Sequence, residues 1–238
     1  MLTSPLVMSV RAFTRKIGLN KLISLWFYGR HYEDSFGPAL LSSIKSGDIV
    51  WDIGANVGIY TKALSDIVGE TGLVVAFEPT PACFGELKRL FSQKKTIILK
   101  NVALGDSDGR ASMLIDTDPL GVTHRLVGDA YSGSKVAEID VRSAESLVLE
   151  FPDIFPNAVK IDVEGHEGSV LDGFDALLSD HRLQTIGIEM HFGLLEERGE
   201  PSRPREIQEM LIRNGFSVRW TDPSHLLAIR AKEGGDPA

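Results

Sequence analysis

A single cysteine, Cys83, stands among 238 residues. That scarcity excludes an internal disulfide and leaves too few thiolates for a cysteine zinc site, so the sequence suits a reducing compartment such as the cytoplasm. Cys83 itself reads as an ordinary core or surface thiol. No apolar run approaches the ~20 residues of a membrane span, and neither a repeat nor a low-complexity tract is present. Positive charge is also short: 25 Lys and Arg stand against 33 Asp and Glu, a formal charge of −8. Beyond the first helices no basic stripe remains, so the electrostatic footprint of a nucleic-acid binder is missing. The start also lacks an apolar core followed by a small-residue cleavage site, which makes it a poor secretory signal.

What is there suffices for one large domain: 43% of the residues are hydrophobic and no linker splits the chain. Residues 1–30 carry Arg11, Arg15, Lys16, Lys21 and Arg30 with no acid. Leu6, Val10, Phe13, Ile17, Leu22, Leu25, Trp26 and Phe27 roughly follow helical spacing. Residues 1–46 therefore read as a basic, helical N-terminal segment. Its apolar face packs on the core or on a second copy in a homodimer, or it touches a membrane surface from the cytoplasmic side or closes over an acceptor.

From residue 47 to 232 the pattern alternates. Short apolar runs at 49–53, 73–78, 96–102, 158–163 and 183–190 read as strands, with helices at 57–68, 81–91, 167–178 and 205–213. Strand followed by helix, repeated, means a parallel α/β sheet with right-handed crossovers. Phe216–Trp220 and Leu226–Arg230, flanking the turn-rich TDPSH, close the chain as a hairpin. Between the third and fourth strands lies an insertion in which Ala111–Ile115 and Val136–Val141 can pair. The intervening Gly- and Ser-rich 116–134 forms either a lid or acceptor-binding loop or plain surface.

The stretch IVWDIGANVGIY, Ile49–Tyr60, organises the rest. A strand ends in an acid, and Gly54 and Gly58 flank Asn56, which tolerates left-handed geometry. A helix follows whose free N–H groups face a ligand. The spacing fits neither a dinucleotide fingerprint nor a phosphate loop. DIGANVGIY, FEP at Phe77–Pro79, KIDVEGHE at Lys160–Glu167 and IEMH at Ile188–His191 occur in this order on strand ends. Together they resemble the FkbM family of S-adenosylmethionine-dependent methyltransferases over about 49–191.

The resemblance implies a class I methyltransferase: a Rossmann-like, doubly wound, mostly parallel sheet with a C-terminal antiparallel strand and N-terminal helices. It also implies S-adenosyl-L-methionine as cofactor and O-methylation of a hydroxyl on a sugar, glycolipid or natural product. Ligands in open α/β sheets bind at the carboxyl ends of strands, and here those ends carry acids. Asp52 would face the methionine ammonium and Glu78 the ribose hydroxyls. Gly54, Ala55, Asn56, Gly58, Tyr60, Pro79 and Asp162 would complete the cofactor site, with Asn101, Val102 and Ala103 at the adenine. Asp52 and Glu78 also have plainer readings as a helix cap and a turn acid.

Lys160, Asp162 and Glu164 would share one side of the fourth strand unless the chain bends after Val163. A structural ion pair is the plain reading of Lys160 and Asp162. In the methyltransferase reading Lys160 and Glu164 bind the acceptor, and His191 and His166 are the candidate bases, oriented by Asp162 or Glu189. Glu167 reads as a helix-start acid. Asp162, Glu164, His166, Glu189 and His191 could also assemble a divalent-metal site, but their spacing matches no metal motif, so a divalent metal is the less favoured reading and no metal ligand is assigned. Two further classes stand as alternatives. A nicotinamide-dependent oxidoreductase is disfavoured by the missing third glycine. A non-catalytic docking protein is disfavoured by the polar strand ends.

Overall fold

A computed structural model describes residues 35–115, 125–126 and 135–231. The basic helices expected over 1–30, with any membrane or homodimer contact, and most of the 116–134 loop lie outside the described residues.

The chain opens with α1 (Phe36–Ser43). Then follow β1 (Ile49–Ile53), α2 (Ile59–Val68), β2 (Leu73–Phe77), α3 (Pro81–Phe91) and β3 (Ile97–Lys100). The insertion supplies β4 (Ala103–Leu104), β5 (Gly109–Ile115), β6 (Arg125–Leu126) and β7 (Lys135–Arg142). After α4 (Ala144–Glu150) come β8 (Ala158–Ile161), α5 (Glu167–Asp172), β9 (Thr185–Glu189) and α6 (Phe192–Glu197). The chain closes with α7 (Arg203–Arg213), β10 (Phe216–Trp220) and β11 (His225–Arg230).

Seven strands form the main sheet in the order β10-β11-β9-β8-β1-β2-β3. The pairs β8–β9, β1–β8, β1–β2 and β2–β3 are parallel, and β11 runs antiparallel to both β9 and β10. This is the expected doubly wound architecture. Strand order reverses at β1, which sits between β2 and β8, so the crevice for a ligand opens beyond the ends of these three strands.

Period-two alternation divides the core between the two faces. Trp51, Ile53, Val75, Phe77, Val159 and Ile161 pack with Phe174 and Leu171 on one side. Val50, Val74, Ala76 and Ala158 meet Leu64 and Val68 of α2, Leu87 of α3 and Phe36 and Leu40 of α1 on the other. Asp52 and Lys160 fall on the second face by the same parity, which carries two charges into a closed layer.

The insertion folds as a separate sheet in the order β4-β7-β5-β6, with β5 and β7 antiparallel over their full length. The expected pairing of 111–115 with 136–141 is therefore present. The third strand is shorter than expected, because Ala103 and Leu104 leave β3 to pair with Val141 and Arg142. The helix expected over 167–178 breaks after Asp172 and resumes as a 3-10 turn at Asp175–Ser179. Gly173 sits there with its α-carbon against the Gly105 carbonyl, where an added Cβ would fall 1.9 Å from the oxygen.

Candidate active site

The turn after β1 is built on contacts only glycine permits. Gly54 has φ +76°, and a Cβ there would lie 1.9 Å from the Asp162 carbonyl oxygen. The N–H groups of Gly54 and Ala55 donate to the Phe77 carbonyl, which lashes the turn to the end of β2. Asn56 follows in the left-handed region at φ +50°, and its backbone N–H donates to Glu78 Oε2 at 2.9 Å. Glu78 Oε1 accepts from the Thr80 N–H at 2.8 Å and from the Thr80 hydroxyl at 2.5 Å. One carboxylate thus joins both strand-end loops.

These loops wall a solvent-open cleft of about 730 Å³. Gly54, Asn56, Glu78, Pro79, Val102, Ala103 and Asp162 line it. Phe77, Leu104, Met113 and Ile139 supply an apolar wall, the last two reaching over from β5 and β7. A close-approach turn, an acid on the second strand and an apolar slot for a flat ring fit S-adenosylmethionine.

Five residues expected at the cofactor lie elsewhere. Gly58 packs against Leu87 and Phe91 of α3, and Ala55 is buried. Tyr60 lies edge-on to Phe36 with its ring 5.2 Å from the Lys160 ammonium. Asn101 donates through Nδ2 to the Glu78 and Pro79 carbonyls, so it shapes the loop from behind. Asp52 is completely buried beneath the turn: Oδ2 accepts the Thr61 hydroxyl at 2.6 Å, and Oδ1, without a hydrogen bond, lies 3.4 Å from Lys160 Nζ.

Lys160 also departs from the acceptor-side expectation. It is 4% exposed, donates to the Gly54 carbonyl at 3.1 Å and to Asp162 Oδ2 at 3.3 Å, and so is spent inside the protein. Burial opposes its charge, but Asp162 and Asp52 outweigh that and raise its pKa above the usual lysine value. The ion-pair reading is the one the geometry carries.

Beyond Ile161 the chain does bend. Glu164 has φ +52° and Gly165 φ +88°, with the Gly165 α-carbon against Leu194. The bend swings Glu164 back toward the end of β9, where His191 waits. His191 Nε2 lies 3.4 Å from Glu164 Oε2, 3.8 Å from Asp162 Oδ1 and 3.9 Å from Glu189 Oε1. Its Nδ1 lies 2.7 Å from Glu167 Oε1, which also accepts the Gly165 N–H at 2.9 Å. Glu167 is fully buried in the first turn of α5, the helix-start acid expected, with Oε2 unpartnered, and it also holds the imidazole.

The electrostatics follow from this crowding. Burial pulls the His191 pKa down, but the hydrogen bond and charge of Glu167, with Glu164 and Glu189, drive it up to about 9. His191 is therefore an imidazolium at neutral pH, which conflicts with its expected role as a general base. Burial lifts Glu164 to about 7, against the opposing pull of His191 and with help from Asp162 and Glu189.

His166 lies apart, lining the cleft with Nε2 accepting from Arg198 Nη1. Burial first and the Arg198 charge second depress its pKa to about 4, so it is neutral but its free lone pair is occupied. Sequence reasoning missed His225. Its ring stacks on Phe36 at 4.4 Å, Nδ1 lies 2.8 Å from Asp222 Oδ1, and Nε2 lies 3.5 Å from Glu189 Oε2. Burial opposes its charge, yet Glu189 and Asp222 raise its pKa. The only sequence signal was its place at the head of the antiparallel strand beside β9.

A seven-stranded sheet of this order with a glycine turn, an acid after β2 and a polar rim after β8 and β9 defines a class I, S-adenosylmethionine-dependent methyltransferase. The Methyltransferase FkbM domain model matches residues 52–218, and the chain belongs to that family. A hexuronic acid methyltransferase, AglP of Haloferax volcanii, is 27% identical over 220 residues, 92% of this chain and 84% of that protein. Among solved structures, a putative rRNA methylase from Clostridium thermocellum shares the fold at TM-score 0.51 and 15% identity, over 84% of this chain and 97% of that one. Aeropyrum pernix fibrillarin, solved with natively bound S-adenosyl-L-methionine, aligns at TM-score 0.45 and 13% identity, over 78% of this chain and 67% of that one. No helix among the described residues is long and apolar enough to cross a membrane.

Proposed function

We propose that this methyltransferase methylates an oxygen of a sugar, with hexuronic-acid-containing glycans as the acceptor class. The observation that carries the reading is the position of Asp162. It lines the cofactor cleft, and its Oδ1 faces His191 in the polar cluster beyond it. The cluster is rich in acceptors for sugar hydroxyls, and the relative named for hexuronic acid is similar along almost the whole chain.

S-adenosylmethionine supplies a methyl group on a positively charged sulfur. The residues of this chain bind and orient. Gly54, Asn56 and Glu78 hold the cofactor side, and the apolar wall of Met113 and Ile139 excludes water. Holding acceptor and cofactor in line is where most of the acceleration arises. Glu164, on the cleft wall, is the carboxylate placed to take the hydroxyl proton.

The test is incubation of the purified chain with S-adenosylmethionine and a panel of oligosaccharides with and without hexuronic acid, read by the mass gain of one methyl group. Methylation confined to the uronic-acid members supports the proposal. Methylation of aromatic hydroxyls and of no sugar would sink it.

A further inference from the structure

We propose that Asp162, Glu189 and His191 form a divalent-cation site beside the cofactor cleft. One ligand atom from each lies within 4.8 Å of the other two. They sit at or just beyond the ends of two adjacent strands, β8 and β9, whose parallel register brings the two ends together. Spacing along the sequence cannot show this, because the convergence depends on the pairing of β8 with β9, which sets Ile161 opposite Ile188.

The first argument is the electron-pair count at one point in space. The buried Glu167 carboxylate faces Nδ1 of His191, so a ring that releases one proton to a bound cation keeps the other on Nδ1 and turns the Nε2 lone pair outward. That lone pair meets Asp162, Glu189 and Glu164, all within 3.9 Å. Four electron-pair donors converge, and the nearby Lys160 is already held by Asp52, Asp162 and the Gly54 carbonyl. Such a point calls for a cation.

The second argument lies outside the ligand set. Histidines that bind metals almost always give their other ring N–H to a carboxylate, carbonyl or water, which fixes ring and tautomer. Glu167 does this from complete burial, and its own position is pinned by the Gly165 N–H. His225 holds Glu189 in the same manner from the other side, through Nε2, and is itself fixed by Asp222 and the Phe36 ring. Both the imidazole and one carboxylate of the set are thus oriented by buried partners.

Donor atoms around a small divalent ion stand roughly 3.0–3.5 Å apart, from bond lengths near 2.1 Å. The observed 3.8 and 3.9 Å separations are wider by about half an ångström, a closure that rotation of half-buried carboxylates supplies. Mixed imidazole and carboxylate donors suit Mn²⁺ and its first-row neighbours better than Ca²⁺. A cation there would face the acceptor oxygen and favour its deprotonated form. That catalytic role rests on the sugar O-methylation reading, whereas binding of the ion does not.

The test is titration of the full chain with Mn²⁺ alone, followed by the electron paramagnetic resonance signal of free Mn²⁺, with S-adenosylmethionine binding measured separately by calorimetry. One Mn²⁺ per chain is expected. Affinity should fall at least tenfold in Glu189→Gln and in His191→Gln, and about 10- to 100-fold in Glu167→Gln. Surface Glu86→Gln should leave it unchanged. If His191→Gln does not fold, Glu189→Gln decides. A folded chain that binds S-adenosylmethionine but no Mn²⁺ would overturn the site, as would Mn²⁺ binding indifferent to Glu189→Gln. Mn²⁺ bound at these residues without sugar methylation would keep the site and sink the acceptor reading instead.

Discussion

Two groups of charges stand a few ångströms apart at the end of β8, and they are built on opposite plans. Asp52 and Lys160 are sealed, facing each other across the β1–β8 pair at 3.4 Å, with Thr61 and the Gly54 carbonyl as further partners. Asp162, Glu164, Glu189 and His191 are half-buried and carry more negative than positive charge. The sealed group answers its own needs, so its work is to hold the glycine turn rigid. The open group is unbalanced, which is what a site awaiting a ligand looks like. Asp162 belongs to both, giving Oδ2 to Lys160 and Oδ1 to His191.

The comparison breaks most decisively at Lys160. Lys160→Met leaves Asp52 charged and buried without its partner, and about 3–5 kcal/mol of stability should be lost in urea unfolding. The double variant Asp52→Asn, Lys160→Met should regain a good part of that loss, because no uncompensated charge remains. At the open group the balance reverses. Glu189→Gln and Asp162→Asn should lower kcat/KM about 100-fold or more while unfolding free energy stays within ~1 kcal/mol for Glu189→Gln. A large stability loss in Glu189→Gln would mean that the open group is structural after all.

On the cofactor side, Glu78→Ala should weaken S-adenosylmethionine binding at least ~10-fold by calorimetry, since it frees both strand-end loops. The smallest effect expected is at His166, whose pKa is depressed from 6.5 to about 4. The unfolded chain then binds more protons than the folded one between these values, so stability is full above pH 6.5 and falls as pH drops toward 4. His166→Gln should flatten that slope by the order of 1 kcal/mol, since the ring is only half-buried.

How much of this the sequence revealed varied with the range of the interactions. Alternation along 49–53 and 73–77 and the glycine turn are local signals, and the sheet, its order of elements and the placing of Gly54, Asn56 and Glu78 on the cleft wall followed from them. Asp52 and Lys160 were harder, since an acid at a strand end looks the same whether it faces the cleft or the layer beneath. Here parity along β1 and β8 decides, and both side chains fall with Val50 and Ala158 on the helix-covered face. The long-range contacts were invisible. Glu167 was legible as a helix-start acid but not as the partner of a histidine 24 residues away, and His225 had no distinguishing neighbour in sequence. The break at Gly173 depends on the Gly105 carbonyl, which no periodicity encodes.

The Lys160 bond to the Gly54 carbonyl joins residues 106 apart, and His225 must arrive last to steady Glu189. The chemistry therefore has no early fragment. A nascent chain that has released β1, β2 and β3 holds the glycine turn but lacks the strand that stiffens it, and one that has reached β9 still lacks the histidine behind the rim. Such dependence on distant pairings slows assembly. It also means that synthesis must run past His225 before a complete site exists.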